Sequence, residues 1–387
     1  MINLIQEIIE KCGPRPSGSA AEQNAQQIVA DKCRALTNNV QVLFFEDYLQ
    51  ARFGKLKYYC ILYLVALAIY FFIPFAAFGI AFINALVFVM DFMMYRSVLS
   101  SFPGPKQKSC NIEATLEPQG VATSTLIFSG HIDSVYEFKW WYKLGQSGAT
   151  LTVIAGVLLV TFPITLLIAA IFPQEDLFQF FVLGYAALSP ALVVYFDMHG
   201  SNPVDGACDN LSGVAIAYEI FKNFADEKNR GKSVLQNTRL KFVSFGCEET
   251  GLIGSFNYVE QRKEILKKEN AHLINIDSIR LPEEVIVIEQ EMMSGTNYST
   301  DLISRIQQSF KEKNIPLKTG KTPIGGTDGV PFNRAGIPAV SIIGLSMKKL
   351  DPTYHTRRDT IENLNPVALK NTLNGLVQFV KNWDAKK

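Results

Sequence analysis

Two long uncharged blocks set the hydrophobic rhythm of the chain. From Tyr58 to Met90 no residue is charged, and Asp91 alone interrupts the run before Arg96. From Ala149 to Phe196 the only charges are Glu175 and Asp176. A bilayer-crossing helix takes roughly 20 apolar residues, about 17 at the short end. Each block is too long for one crossing and long enough for two short ones. Pro74 and the Glu175–Asp176 pair fall near the block centres, where a hairpin would turn. Buried core helices are the alternative, but a soluble fold would need them hydrophobic all round.

Outside the blocks the pattern moves between strand alternation and helical periodicity. Strands are expected at Val40–Tyr48, Asn111–Leu116, Thr125–Gly130, Leu240–Phe245, His272–Ile276, Glu284–Glu289 and Ala339–Ile343. Helices are expected at Ser19–Thr37, Leu211–Phe224, Ser255–Lys268, Thr300–Glu312 and Pro366–Trp383. This alternation predicts an α/β fold of three layers, α/β/α, around a mixed, largely parallel sheet covered on both faces. The 387 residues then divide into one domain (1–57, 97–143 and 197–387), a first hairpin (58–96) and a second hairpin (144–196).

Composition adds mainly exclusions. A net charge of +1 with no clustered basic face gives no reason to expect a nucleic-acid partner. The six cysteines (Cys12, Cys33, Cys60, Cys110, Cys208, Cys247) show no CxxC and no regular spacing, so neither a disulfide framework nor a cysteine zinc site is expected. The opening MINLIQEIIEKCGPRPSG carries charges early and lacks an apolar core, which does not read as a signal peptide.

Candidate chemistry clusters at strand ends and the turns after them, where α/β sheets place their sites. His131 and Asp133 follow the Thr125 strand and, two apart, share one side of an extended segment. A lone His-x-Asp is also satisfied by local hydrogen bonds. Asp209 lies in the small-residue turn Gly206–Gly213, where, taken alone, it reads as the N-cap of the helix that follows. Glu248 and Glu249 stand side by side after the Leu240 strand, a costly pair unless something such as a bound metal offsets their repulsion. Asp277 ends another strand, and Asp is a poor strand former. Tyr354 and His355 open a polar loop, Tyr354–Thr360, before the last helix.

Taken in order, His-x-Asp, Gly-Ala-x-Asp-Asn-x-Ser-Gly, Glu-Glu-x-Gly-Leu-x-Gly-Ser, a strand-end Asp and Tyr-His-Thr resemble the co-catalytic zinc aminopeptidase family, which also contains glutamate carboxypeptidases and glutaminyl cyclases. Gly13–Ser19 (GPRPSGS), Pro331-Phe332 and Gly336–Ala339 extend the match over the chain outside the apolar blocks. The resemblance implies a zinc exopeptidase-like fold, two zinc ions and a peptide substrate. It implies that His131 and Asp277 hold one ion, that Glu249 and His355 hold the other, and that Asp209 bridges them through a turn with a cis peptide to Asn210. Asp133 would steady His131, Glu248 would be the general base toward the bridging water, and Tyr354 would hydrogen-bond the tetrahedral intermediate. Oxygen and imidazole donors suit zinc. The chain departs from the pattern at Cys208 and Cys247, which read as packing residues or minor ligands. It departs again at Gly329, where the family often has His after the Asp; Asp328 then reads as a brace for its loop. An aminopeptidase is the leading expectation, ahead of a carboxypeptidase, an N-acyl amino acid amidase or a glutaminyl cyclase. Arg357 and Arg358 would either bind a substrate carboxylate or solvate the loop. A non-catalytic membrane scaffold would have lost ligands, and none of the five is missing.

If those residues share one site, the second apolar block must cross the bilayer an even number of times, and the strands near Val40 and Asn111, expected to pair in one sheet, require the same of the first. Four short transmembrane helices satisfy this, as would two hairpins lying in one leaflet. Arg52, Lys55, Lys57, Arg96, Lys106, Lys108, Lys139 and Lys143 flank the blocks while the hairpin tips carry no Lys or Arg, which places the catalytic domain on the cytoplasmic side of an integral membrane protein. Trp140, Trp141 and Tyr142, with Tyr58, Tyr59 and Tyr95, read as an interfacial aromatic belt. A cleft near the bilayer surface would favour hydrophobic or membrane-partitioning peptides, making the lipid bilayer a second partner. No oligomeric state follows from the sequence.

Overall fold

Strands rich in Val, Ile and Phe form wherever an apolar run meets a turn, and nine of them join one sheet among the described residues. The computed structural model describes residues 1–49, 52–98, 101–102, 104–232, 235–345 and 349–385. The strands are β1 (Val40–Asp47), β2 (Gln107–Leu116), β3 (Ser124–His131), β4 (Thr238–Phe245), β5 (Ala271–Asp277), β6 (Ile286–Glu291), β7 (Thr296–Asn297), β8 (Lys318–Thr322) and β9 (Ala339–Ile343). Their order is β1-β2-β4-β3-β5-β9-β6-β8, with β7 beside β6. The centre, β4-β3-β5-β9, is parallel, and the flanking pairs β1/β2, β2/β4 and β9/β6 are antiparallel. Every residue of β3 is buried, so both faces of the sheet are covered, as a parallel centre requires. The helix Ser212–Asn229 packs on β3, β4 and β5, while Ile253–Lys268 packs against β1, β2 and the short helix Gly329–Arg334.

Most expected elements appear within a few residues of their predicted bounds. The strand expected at Glu284–Glu289 is displaced to Ile286–Glu291, because Pro282–Glu284 forms a 3-10 turn first. Elements without an expectation include the helix Ile2–Cys12, the two-residue strand β7, the edge strand β8 and the short helix Gly329–Arg334. The predicted pairing across the first apolar block is present, with Leu43 opposite Asn111 and Asp47 opposite Gln107.

The chain forms two compact units, one of Met1–Leu49, Gln107–Tyr136 and Asn202–Lys387, the other of Gln50–Lys106 and Glu137–Ser201. The second unit contains four helices long and apolar enough to cross a membrane: Phe53–Tyr70, Pro74–Met93, Gln146–Ile171 and Asp176–Phe196. At 26 residues the third is longer than the short span expected. Several tyrosine hydroxyls of this unit bond within it. Tyr63 donates to the Tyr185 carbonyl at 3.0 Å, Tyr70 to Gln179 Oε1 at 2.6 Å, and Tyr195 to the Thr152 carbonyl at 3.0 Å. Apolar side chains point outward, with Phe72 84% and Phe180 70% exposed. Alanines 66, 81 and 155 line the buried helix contacts, as small residues do where helices approach closely. Lys55 and Asp91 form a buried ion pair at 2.6 Å, with Tyr59 donating to Asp91 at 2.9 Å and Lys55 to the Val98 carbonyl at 2.6 Å.

In the first unit, fully buried Glu291 anchors the end of β6. Its Oε1 accepts from Tyr298 Oη (2.6 Å), Thr327 N (3.1 Å) and Thr327 Oγ1 (2.7 Å). Burial pushes this carboxyl up to about 7 from 4.5, against the lowering effect of those donors.

Two outcomes follow. Lys55→Met leaves Asp91 without its cation and should cost about 3–5 kcal/mol, whereas adding Asp91→Leu should recover most of that loss; thermal unfolding of both variants in detergent checks this. The folded state holds the Glu291 proton where the unfolded chain has released it. Its stabilising effect is therefore complete below about 4.5 and is lost as the pH rises to about 7, a change of about 3 kcal/mol. Glu291→Gln keeps the acceptor oxygen and should remove this slope from melting curves taken between about pH 4 and pH 8.

Candidate metal centre

Because β3, β4 and β5 run parallel, their carboxyl ends open on one edge of the sheet. His131 closes β3, Glu248 and Glu249 follow β4, and Asp277 closes β5. Asp209 comes from the turn before the helix Ser212–Asn229, and His355 from the loop before Pro366–Ala385. The structure brings all of these together. His131 Nε2 lies 3.2 Å from Asp209 Oδ1, 3.8 Å from Glu248 Oε2 and 3.9 Å from Asp277 Oδ1. His355 Nε2 lies 3.2 Å from Asp209 Oδ2 and 3.4 Å from Glu249 Oε2. Asp209 thus turns one oxygen toward each imidazole. The ring of Tyr354 stacks on that of His355, with centroids 3.9 Å apart.

Hydrogen bonds behind the cluster hold the backbone that carries these side chains. Asp133 lies beside His131, its Oδ1 3.4 Å from Nδ1. It also accepts the backbone N–H groups of Glu248 (3.0 Å) and Glu249 (3.1 Å) and the Ser17 hydroxyl (2.7 Å). Asp359 accepts the N–H groups of Cys208 (2.6 Å) and Asp209 (3.0 Å). The Asp209–Asn210 peptide is cis, and Asn210 binds the Ile276 carbonyl and the Ser278 N–H at the end of β5. Asp209 does not cap the helix that follows, which removes the N-cap reading. Gly213 is required: a Cβ there would sit 2.1 Å from the Ile276 carbonyl. Cys247, at φ 55°, has its N–H and thiol on Glu22 Oε1, at 2.7 and 3.4 Å. Both Cys247 and Cys208 are buried.

The sequence reading assigned no role to Asp359, Arg15 or Glu22. Asp359 lies inside the Tyr354–Thr360 motif and Arg15 inside GPRPSGS, so both were visible as positions though not as anchors. Asp328, expected only to brace its loop, is fully buried and close enough to raise the Glu248 carboxyl. Arg357 and Arg358 are exposed.

The electrostatics of the cluster are unfavourable for carboxylates alone. Burial, then the charges of Asp209 and Glu248, push Glu249 well above the usual range. Burial also raises Glu248, where His131 lowers and Asp328, Asp277 and Asp133 add to the rise. Asp277 is pushed up to about 6, chiefly by burial. Asp209 goes the other way, because its bonds to His131 and His355 outweigh burial. Burial and the same carboxylates raise the Tyr354 phenol, so it stays a donor. Glu249 Oε1 is buried with no hydrogen-bond partner, a state that costs energy unless a cation or water completes it. His131 with Asp209 and Glu249, and His131 with Glu248 and Asp277, each place three donor atoms within 4.8 Å of one another. This imidazole and carboxylate set fits two divalent ions of the zinc type.

Comparison with known proteins gives the same direction. The chain is similar to an aminopeptidase of Bacillus subtilis (strain 168), YwaD, 29% identical over 184 residues that cover 46% of this chain and 38% of that protein. It is similar to a glutamate carboxypeptidase 2 homolog of Caenorhabditis elegans, 27% identical over 201 residues, 46% of this chain and 26% of that one. The chain thus spans well under half the length of these relatives. Among solved structures, a zinc aminopeptidase from Bacillus subtilis superposes with a TM-score of 0.58 at 15% identity, covering 99% of this chain and 94% of that one. A Porphyromonas gingivalis glutaminyl cyclase does so with 0.60 at 15%, covering 99% and 96%; at such identity these establish the fold. Residues 191–380, just under half of the chain, match the model of peptidase family M28, and the ordered motifs before them extend that likeness toward the N-terminus.

Proposed function

We propose that this chain is a membrane-anchored, two-zinc aminopeptidase. The observation that carries the reading is Asp209, with one carboxylate oxygen 3.2 Å from His131 and the other 3.2 Å from His355. That arrangement suits a carboxylate shared by two ions, one held with His131 and Asp277 and the other with Glu249 and His355. Bound zinc would supply Lewis acidity toward a peptide carbonyl and would acidify water to near neutrality. Asp133 fixes the imidazole of His131 from behind. Glu248 has a raised carboxyl and a side chain 11% exposed, against 6% for Glu249. It takes a proton from the attacking water and delivers it to the departing amine. Tyr354, protonated over the whole working range, donates to the oxygen that becomes negative.

Charge balance favours an N-terminal substrate. Asp133, Asp209, Glu248, Glu249, Asp277 and Asp328 are carboxyl groups in or beside the centre, and together they exceed the charge of two dications. The residual negative field attracts an α-ammonium and repels a terminal carboxylate. A carboxypeptidase or an N-acyl amino acid amidase, whose substrates bring a free carboxylate, would have to work against it.

The membrane part of the proposal is supported by the second unit, where Tyr63, Tyr70 and Tyr195 bond internally while Phe72, Phe180 and other large apolar side chains are exposed. Both insertions also leave and rejoin the first unit at adjacent points. Asp47 lies opposite Gln107, and Val204 N–H donates to the Val135 carbonyl at 3.0 Å. A block that returns where it left crosses a bilayer an even number of times. The basic flanks then put the catalytic domain in the cytoplasm. Since the second block leaves the chain between His131 and Asp209, peptides that partition into the bilayer are the substrates we favour.

Glu248→Gln should retain about two zinc ions per chain and lose about 10²–10⁴-fold in kcat, read by metal analysis beside hydrolysis of N-terminally free peptides. A zinc-free wild type would point to a scaffold. For topology, a thiol placed by Asp176→Cys should react from the face of the membrane opposite to one placed by Lys263→Cys. Reaction from the same face would leave the hairpins in one leaflet.

A further inference from the structure

The GPRPSGS segment belongs to the resemblance yet has no part in the chemistry proposed above. Its Arg15 is fully buried, where a guanidinium without partners would be very costly. Neutral carbonyls surround it: Nε donates to Ile132 O (2.8 Å), Nη1 to Gly13 O (2.8 Å), and Nη2 to Asp205 O (2.7 Å) and Gly206 O (3.3 Å). The main chain adds to this joint. Arg15 N–H donates to Ser134 Oγ at 2.9 Å, Ser134 N–H returns to the Arg15 carbonyl at 3.0 Å, and Ser134 Oγ donates to the Val204 carbonyl at 2.7 Å.

The two segments joined here are the ones the second apolar block separates. Ile132 follows His131 directly, and Gly206 opens the turn that carries Asp209. Residues Glu137–Ser201 between them belong to the other unit. We infer that Arg15 is a positioning residue, a clamp that holds His131 and Asp209 at metal-bridging distance across the point where the chain leaves the domain. This rests on the two-zinc reading.

Arginine suits the task for a geometric reason. Its planar fork reaches acceptors in several directions at once, whereas an ammonium is a single point on a flexible stem. Burial lowers Arg15 only to about 10, with Asp359, Asp133 and Asp205 opposing the shift, so the clamp is charged at neutral pH.

The test is cobalt(II) titration of the metal-stripped full chain in detergent, followed by visible absorption and by peptide hydrolysis. Wild type should take up two ions. Arg15→Lys keeps the charge and loses the fork; it should weaken cobalt binding roughly 10–100-fold, as loss of an outer partner of a metal ligand does, change the absorption band, and lower kcat far more than KM. Ser134→Ala cuts the same joint more gently and should weaken binding several-fold, which keeps the assignment testable if the arginine variant folds poorly. Leu266→Ala, a core truncation in the helix Ile253–Lys268, should lower the melting temperature and leave affinity and band unchanged. Wild-type affinity and spectrum in both Arg15→Lys and Ser134→Ala would overturn the clamp. So would a Leu266→Ala chain that reproduces their changes at equal loss of stability. A wild type that binds no cobalt and cleaves no peptide would instead remove the two-zinc reading beneath it.

Discussion

Crowding Asp209, Glu248, Glu249 and Asp277 around two imidazoles is the arrangement on which the rest of the first unit depends. Two like charges 4 Å apart cost about 4 kcal/mol at the effective dielectric of a protein, and burial adds to that. The fold manages the repulsion from outside the cluster. Asp133 gathers the amides of Glu248 and Glu249, Asp359 gathers those of Cys208 and Asp209, and Glu22 gathers that of Cys247. These bonds fix the backbone while the inward oxygens, Glu249 Oε1 among them, are left for something cationic. A parallel sheet centre is what makes the gathering possible, because only parallel neighbours deliver their carboxyl ends to one edge.

The apolar unit solves the reverse problem. It keeps hydroxyls and the Lys55–Asp91 pair inside and turns Phe72, Phe180 and their neighbours outward. Loop-closure entropy grows slowly with length, so a long insertion is tolerated wherever its ends already meet. The β1/β2 ladder and the Val135–Val204 contact are such places. The insertions therefore lengthen two connections without disturbing the strands on either side.

How much could be read from the sequence follows from the range of each signal. Strands buried on both faces, such as β3 and β4, carry dense apolar runs and were placed closely; the residues at their ends were recognisable from chemistry and order. β8 (Lys-Thr-Gly-Lys-Thr) has no apolar residue, because it is an exposed edge strand held by its parallel pairing with β6. The helix Ile2–Cys12 has its buried residues at Leu4, Ile5 and Ile8, too short an apolar stripe to stand out among the charges around it. Arg15, Glu22 and Asp359 escaped for a different reason. Their work is long-range bonding to backbone atoms far away in sequence, and no local pattern records it. The N-cap reading of Asp209 is a local rule that its contacts with His131 and His355 override.

Gly329, the departure from the family pattern beside Asp328, has a packing explanation in this chain. A Cβ at that position would sit 2.6 Å from Tyr298 Oη, 2.7 Å from its Cε1 and 3.0 Å from Ser341 Oγ. Tyr298 is held there by Glu291, which also binds the N–H and hydroxyl of Thr327, the residue before Asp328. The space a histidine would need is thus filled by the network that fixes the Asp328 loop. A histidine at this position would have to displace Tyr298, leaving buried Glu291 short of a donor, so the glycine and the buried carboxylate network imply each other.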